Sequence, residues 1–131
     1  MGRMKQFGLI PEPARMVGVQ GNTRTVQIKC KSTDLTGASA RAEFRRTANG
    51  EPFLVFSSAP VLPERTLTIT VVPATVSVPV HSIIQFVLTS ADTRAVGELA
   101  LWNLDITDSL GAVNTYIVGE AVFSAEGYTS G

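Results

Sequence analysis

The residues with the greatest chemical potential in this chain are one histidine, one cysteine and four aspartates. His81 is the only histidine, so a catalytic triad, a histidine metal site or a histidine general base would have to use it. It stands between an apolar run and Ser82, and the sequence names no partner that would orient it, so a structural role is favoured. The single Cys30 excludes an internal disulfide and a cysteine zinc site. Because Cys30 alternates with Val26 and Ile28, we expect a buried, inert thiol.

The aspartates offer a possible calcium site or a pair of acid–base carboxylates. Asp105 and Asp108 lie near a predicted hairpin turn, and Asp34 and Asp92 lie in other loops. No calcium-loop pattern is present, and a turn position already explains Asp108. We therefore expect structural roles for all four, and we predict no metal, no cofactor and no enzymatic activity.

Cationic side chains at outward strand positions form a possible basic patch for phosphate or an acidic partner, if their strands are neighbours. Glu43 interrupts this set, so a solvated sheet face is favoured. Neither a glycine-rich phosphate loop nor a basic surface with interleaved aromatics is present in the sequence. The cations concerned are Lys29, Lys31, Arg41, Arg45 and Arg46.

The composition favours a single domain that buries surface against partners. The 131 residues carry 11 basic and 11 acidic side chains, and this zero net charge argues against nucleic-acid binding. Charged residues make up only 17% and hydrophobic residues 44%. No apolar run reaches the roughly 20 residues of a membrane span, and we see no signal peptide. We expect a soluble protein made in a cytoplasm, without a membrane partner.

The elements that would position these residues are organised around a hairpin over Glu98–Phe123. Asp108 to Gly111 supplies a turn, with Asp at its first position and Gly at the left-handed one. Trp102, the only tryptophan, is expected at the centre of the core. The residues that alternate onto the inner face of the hairpin are Ala100, Trp102, Leu104, Ile106, Ile117, Gly119, Ala121 and Phe123.

Short alternating segments before the hairpin predict further strands and hence an all-β sandwich of about eight strands. The only candidate helix runs from Ser90 to Val96, capped by Ser90 or Asp92 and ended by Gly97. We expect an extended arm over residues 1–15, a sandwich over 16–124 and a tail over 125–131. The earlier strands are predicted at Thr25–Lys31, Ser39–Arg46, Phe53–Phe56, Thr66–Val72, Val76–Val80 (an edge strand, because of Pro79) and Ile83–Thr89.

Two apolar groups lack an obvious place in such a core. Phe7, Leu9 and Ile10 lie in the proline-bearing arm, and we weigh equally that they fold back or that they dock on a neighbouring subunit. The outward positions of the hairpin are also apolar, which requires either a second sheet or another subunit to cover them. The predicted interface residues there are Leu101, Tyr116, Val118 and Val122.

The order of motifs resembles the immunoglobulin-like domain of tailed-bacteriophage structural proteins, typified by the N-terminal domain of siphophage baseplate upper proteins. The resemblance covers about Thr25–Phe123. Asn103 stands where the family usually has Asp, the middle of the chain is more apolar and richer in proline, and no fibre or receptor-binding region follows. The motifs that carry the resemblance are the Asp34-Leu35-Thr36-Gly37 loop, the strand with Arg41 and Phe44, Ser90-Ala91-Asp92-Thr93, and the Trp102-led hairpin that closes with Tyr116 to Phe123.

The resemblance implies an immunoglobulin-like sandwich without catalytic residues that works as an attachment module. The expected function is that of a virion structural protein, an adaptor or connector in the tail, baseplate or neck. Its partners would be other virion proteins and copies of itself. The alternatives are a capsid decoration or head-fibre base protein, or a carbohydrate-binding sandwich. The last would need exposed aromatics, for which Trp102, Tyr116 and Tyr128 are the candidates.

Overall fold

The computed structural model describes residues 12–125, and only the backbone at positions 12 and 13. Short stretches of alternating apolar and polar residues form strands throughout this range, and one helix of seven residues interrupts them. The elements are β1 (Glu12–Pro13), β2 (Met16–Val19), β3 (Arg24–Cys30), β4 (Ser39–Arg45), β5 (Leu54–Ser57), β6 (Arg65–Thr66), β7 (Thr68–Val72), β8 (His81–Leu88), α1 (Ser90–Val96), β9 (Ala100–Thr107) and β10 (Val113–Ser124).

The strands form two sheets that pack as a sandwich, so the predicted all-β fold is confirmed. The large sheet has the order β1-β10-β9-β4-β5-β6, with β2 also paired to β10, and the small sheet has the order β3-β8-β7. Alternation along each strand places apolar side chains between the sheets. The largest fully buried side chains are Phe44, Phe56, Phe86, Phe123, Leu67, Ile84, Leu88, Leu104 and Ile106.

The hairpin predicted from the sequence is β9 and β10. Every second residue of β9, from Ala100 to Ile106, is buried as expected. Gly111 has φ 92°, the left-handed conformation that the turn requires. The Asp108 carboxylate accepts hydrogen bonds from the backbone N–H groups of Leu110 and Ala112, at 2.9 and 3.0 Å. The turn is therefore closed by the aspartate itself, as an Asx turn.

Trp102 lies in the core and also fixes the path of the N-terminal chain. Its ring stacks on Phe44 with centroids 6.1 Å apart, and its Nε1–H donates to the carbonyl oxygen of Ala14 at 3.1 Å. That carbonyl lies against Gly119 of β10, where a Cβ atom would come within 1.8 Å of it. Residues 12–15 of the predicted arm thus lie on their own sheet. Phe7, Leu9, Ile10 and Tyr128 lie outside the described residues.

Three sequence predictions are wrong in detail. Residues 76–80 form no strand, because the prolines at 73 and 79 bound a connection in which Val76 is fully exposed. The segment predicted as one strand over Thr66–Val72 is two, β6 in the large sheet and β7 in the small one, and the chain changes sheets at the buried Leu67. The cap of α1 is Thr89, and neither Ser90 nor Asp92 as predicted. Asp92 completes a capping box with it.

Candidate functional site

The connections between strands divide into two sets, one at each end of the sandwich. We call the first set the helix end; it comprises α1, the turn at 20–23 and the connection 46–53. The strand registers place the connections 31–38, 58–64, 73–80 and 108–112 at the opposite end, which we call the loop end. A hydrogen bond from the Leu35 N–H to the Ser82 hydroxyl, 3.0 Å long, joins the connection 31–38 to β8 there.

At the helix end, buried polar groups bind segments that are far apart in sequence. The buried Asp92 carboxylate receives a two-fold hydrogen bond from the Arg65 guanidinium, at 3.0 and 3.1 Å. The Thr93 hydroxyl, fully buried, accepts from the Gly21 N–H at 2.9 Å and donates to the Asn22 carbonyl at 3.0 Å. These contacts hold α1 between β6 and the turn at 20–23, which makes this end a structural unit.

The C-terminus of α1 is held by a single arginine. Arg46 donates to the carbonyl oxygens of Ala95 and Val96, which the end of a short helix leaves without partners, and to that of Leu99 beyond the helix. Its guanidinium also lies over the Phe53 ring, 4.2 Å from the centroid. The cation at a helix C-terminus is electrostatically favourable, so Arg46 serves the fold and not a phosphate site.

The loop end instead exposes apolar side chains. Leu62 is 92% exposed and Leu110 is 93% exposed, and further exposed valines lie beside Leu62, in the connection 73–80 and at the start of β10. Sequence reasoning missed these residues, although Val61 and Leu62 stand between two prolines, a setting in which apolar side chains cannot alternate into a sheet. The exposed apolar residues of this end are Val61, Leu62, Val76, Val78, Leu110 and Val113. A monomer gains nothing from exposing these side chains, so the loop end is a candidate contact surface.

The outer face of the large sheet holds three of the interface residues that the sequence predicted on the hairpin: Val118 is 40% exposed, and Leu101 and Val122 are half-buried. The predicted outward position of Tyr116 is wrong, because a register shift between Thr115 and Ile117 directs this side chain to the core, where it hydrogen-bonds Cys30. The small sheet packs on the opposite face, and in residues 12–125 no second sheet covers this one. A cleft of about 350 Å³ opens here between Arg45 and Glu120, with Leu101 and Val118 among its lining residues. The interface itself stays a prediction.

A row of ion pairs runs along the same face. Glu43 is bound by Arg41 at 2.7 Å and by Arg45 at 2.5 Å, and Arg41 also reaches Glu64 at 2.9 Å. Partial burial opposes the charged form of Glu43, but the hydrogen bonds from Arg41 and Arg45 outweigh it and hold the pKa of this carboxyl below its ordinary value. Arg45 donates as well to Asn103 at 2.7 Å. These groups satisfy one another, which is the arrangement of a stabilised sheet face.

The possible basic patch of Lys29, Lys31, Arg41, Arg45 and Arg46 is divided by the fold. Arg41 and Arg45 belong to β4 in the large sheet, Lys29 belongs to β3 in the small sheet, and Lys31 follows β3. Strands β3 and β4 are consecutive in the chain but lie in different sheets, so their outward faces point in opposite directions. Arg46 lies at the helix end. The patch therefore does not form.

The residues singled out for chemistry occupy separate places. His81 begins β8, with Nδ1 3.3 Å from the Pro79 carbonyl oxygen, in a cleft of about 160 Å³ whose lining includes Lys29 and Lys31 but no carboxylate. Cys30 is 1% exposed, and burial raises the pKa of its thiol.

The four aspartates make local contacts. Asp34 accepts from the Thr36 N–H at 2.9 Å, and Asp105 accepts from the Asn103 amide at 3.2 Å. Asp92 and Asp108 serve the helix end and the hairpin turn, as described. Over residues 12–125 no three His, Cys, Asp or Glu side chains come together as metal ligands.

Comparison with known proteins finds no family profile and no curated protein that matches the chain. Within the described range, no helix is long and apolar enough to cross a membrane.

Proposed function

We propose that this protein is a structural component of a tailed-bacteriophage virion, a small β-sandwich that connects subunits in the tail, baseplate or neck. The observation that carries the proposal is the concentration of exposed apolar side chains at the loop end, opposite an end whose polar groups are bound internally. A sandwich of this kind acts through packing: the apolar end and the uncovered hairpin face bury against neighbours.

The strand order supports the immunoglobulin-like resemblance on which the phage assignment rests. Immunoglobulin sandwiches place strands B, E and D in one sheet and strands G, F and C, extended by C′ in variable types, in the other. Lettered in chain order, β3, β7 and β8 are B, D and E, and β4, β5, β9 and β10 are C, C′, F and G. Strand β6 adds a short extra edge beside β5. The two N-terminal strands run parallel to β10, on its outer edge.

The carbohydrate-binding alternative loses its candidate aromatics. Trp102 is 4% exposed and lies within the core, and Tyr116 is half-buried against that core. Phe53, which is partly exposed, is covered by the Arg46 guanidinium. A flat row of exposed rings, on which sugars stack, is therefore missing from residues 12–125. The capsid decoration and head-fibre alternatives share the packing mechanism and differ only in where the protein sits.

The first experiment locates the protein. Mass spectrometry of purified virions from the phage that encodes the chain should detect it at a fixed copy number relative to the tail proteins. Its absence from intact particles would contradict a virion role. Detection only in heads that have been separated from their tails would assign the protein to capsid decoration.

The second experiment tests the surface. The triple variant Leu62→Ser, Val76→Ser and Leu110→Ser should fold normally but incorporate into particles at least tenfold less well. The control replaces three apolar residues elsewhere that are exposed to a smaller degree, Val17, Val87 and Leu99, by Ser. Equal loss in both triples would show that the loop end has no special role in assembly.

A further inference from the structure

The four sheet edges of the sandwich differ in how well they are protected. In the large sheet, β6 has two residues and the pair β1 and β2 is broken at residues 14–15, so neither offers a continuous row of backbone groups. In the small sheet, β7 has five residues and runs into Pro73. Short or broken edges and prolines are the usual means by which proteins prevent further strand pairing.

Strand β3 is the exception. It has seven residues, pairs with β8 in unbroken register from Arg24 to Cys30, and within residues 12–125 has no partner on its other side. Ile28 points toward the core, yet it is only half-buried, because nothing in the described range covers the edge beside it. This strand thus offers both unpaired backbone groups and apolar surface.

We propose that β3 pairs antiparallel with β3 of a second copy about a two-fold axis at Gln27, joining the two small sheets into one of six strands. This register pairs all seven residues of each strand. It sets Val26 opposite Ile28 of the other copy, so that the half-buried Ile28 of each copy is covered by Val26 of the other. This inference extends the proposed function. It rests on that function because a virion connector must assemble with copies of itself.

The charged residues of β3 are compatible with a second copy of β3 as the pairing partner. Lys29, a residue type that edge strands use to discourage pairing, faces Thr25 of the second copy in this register, so no two like charges stand opposite each other. On the outer face, the Gln27 side-chain amide donates a hydrogen bond to the side-chain oxygen of Gln85 of β8, at 2.6 Å. Two Gln27 side chains opposite each other continue that row of amides from one copy to the next. The result is a symmetric, self-complementary contact.

Cysteine cross-linking tests the register directly, in a Cys30→Ala background. Residues opposite each other in an antiparallel pair have Cα atoms about 4.5–5.5 Å apart, which a disulfide can span. Gln27→Cys should therefore form a disulfide-linked dimer on mild oxidation. Thr25→Cys is the matched control, since its two copies lie about 13 Å apart along the strands. We expect at least ten times more dimer from Gln27→Cys on non-reducing electrophoresis.

A mixture of Thr25→Cys and Lys29→Cys chains should cross-link although neither does so alone, because these positions face each other only between copies. Equal yields at positions 25 and 27, or no dimer from a folded Gln27→Cys protein, would overturn the pairing. Dimer that appears only after residues 1–11 are removed would overturn it too, since the chain's own N-terminal segment would then be the occupant. A protein that cross-links as expected but is missing from virions would contradict the proposed function and leave the pairing intact.

Discussion

The two ends of the sandwich differ in whether their side chains bind other parts of the chain or face solvent. The helix end binds the turn at 20–23, α1 and β6 through the buried side chains of Asp92 and Thr93. The loop end has four connections that are ordered mainly by contacts within themselves, such as the Asp34 and Asp108 turns, and it leaves Leu62 and Leu110 in solvent. The difference indicates that one end carries stability and the other is free to carry contacts.

The largest expected effect at the helix end comes from Asp92→Ala. The change removes the carboxylate that binds Arg65 and also one half of the capping box of α1. Breaking a buried pair costs about 3–5 kcal/mol, but the Arg65 side chain is 45% exposed and regains water, so we expect about 2–3 kcal/mol. Urea denaturation measures the loss. Asp34→Ala, in an exposed turn of the loop end, is the control and should lose clearly less; a comparable loss would break the contrast between the ends.

A smaller loss is expected from Thr93→Val. Valine keeps the shape of threonine but leaves the Gly21 N–H and the Asn22 carbonyl without their partner, which costs about 1–3 kcal/mol. Hydrogen exchange should speed up at the Gly21 amide. The control Thr70→Val lies on the exposed face of β7 and should stay within about 0.5 kcal/mol of the parent. Unchanged exchange at Gly21 would mean that Thr93 does not anchor the turn.

Acid should weaken the contacts that hold one loop of the loop end. The Glu64 carboxylate accepts from the Val61 N–H at 3.0 Å and binds Arg41, and these contacts lower the pKa of Glu64. A lowered folded-state pKa means that the contribution to stability is present above the ordinary pKa of glutamate and is lost as the pH falls through the folded-state value. In an NMR titration, Glu64 should therefore titrate at lower pH than a glutamate of a short peptide, and the Val61 amide should shift with the same midpoint. Glu64→Gln should abolish the pH-dependent shift of the Val61 amide. If the shift persists in this variant, it reports the titration of another group.

We expect the smallest effect on stability at the loop end itself. This prediction tests most directly the contrast between the helix end and the loop end. Leu62→Ser or Leu110→Ser removes a side chain that lies in water in both the folded and the unfolded state. The free energy of unfolding should therefore change by no more than about 0.5 kcal/mol. Thermal denaturation checks this, with Leu88→Ser in the core as the positive control. A loss above 1.5 kcal/mol at either exposed leucine would show that it packs on its own chain.

Local patterns predicted those parts of the fold that depend on period and turn chemistry. The hairpin was predictable because eight residues alternate without interruption in β9 and an Asp–Gly turn follows. The strands β3 and β4 were predictable for the same reason, and Cys30 was expected to be buried because it shares the phase of Val26. The alternating valines over 76–80 led to the wrong prediction of a strand. Alternation alone is not sufficient, because a strand also needs a neighbouring strand with which to pair.

The sequence by itself determined the all-β class and the inner face of the hairpin, because these follow from residue types and short spacings. Only the tertiary structure decided which connections share an end, that Leu67 changes sheets, that the basic residues fall on opposite faces, and that β3 has a free edge within residues 12–125. Each of these depends on how strands far apart in the chain pair with one another. Such pairings are set by the packing of the whole core, and no short stretch of sequence encodes them.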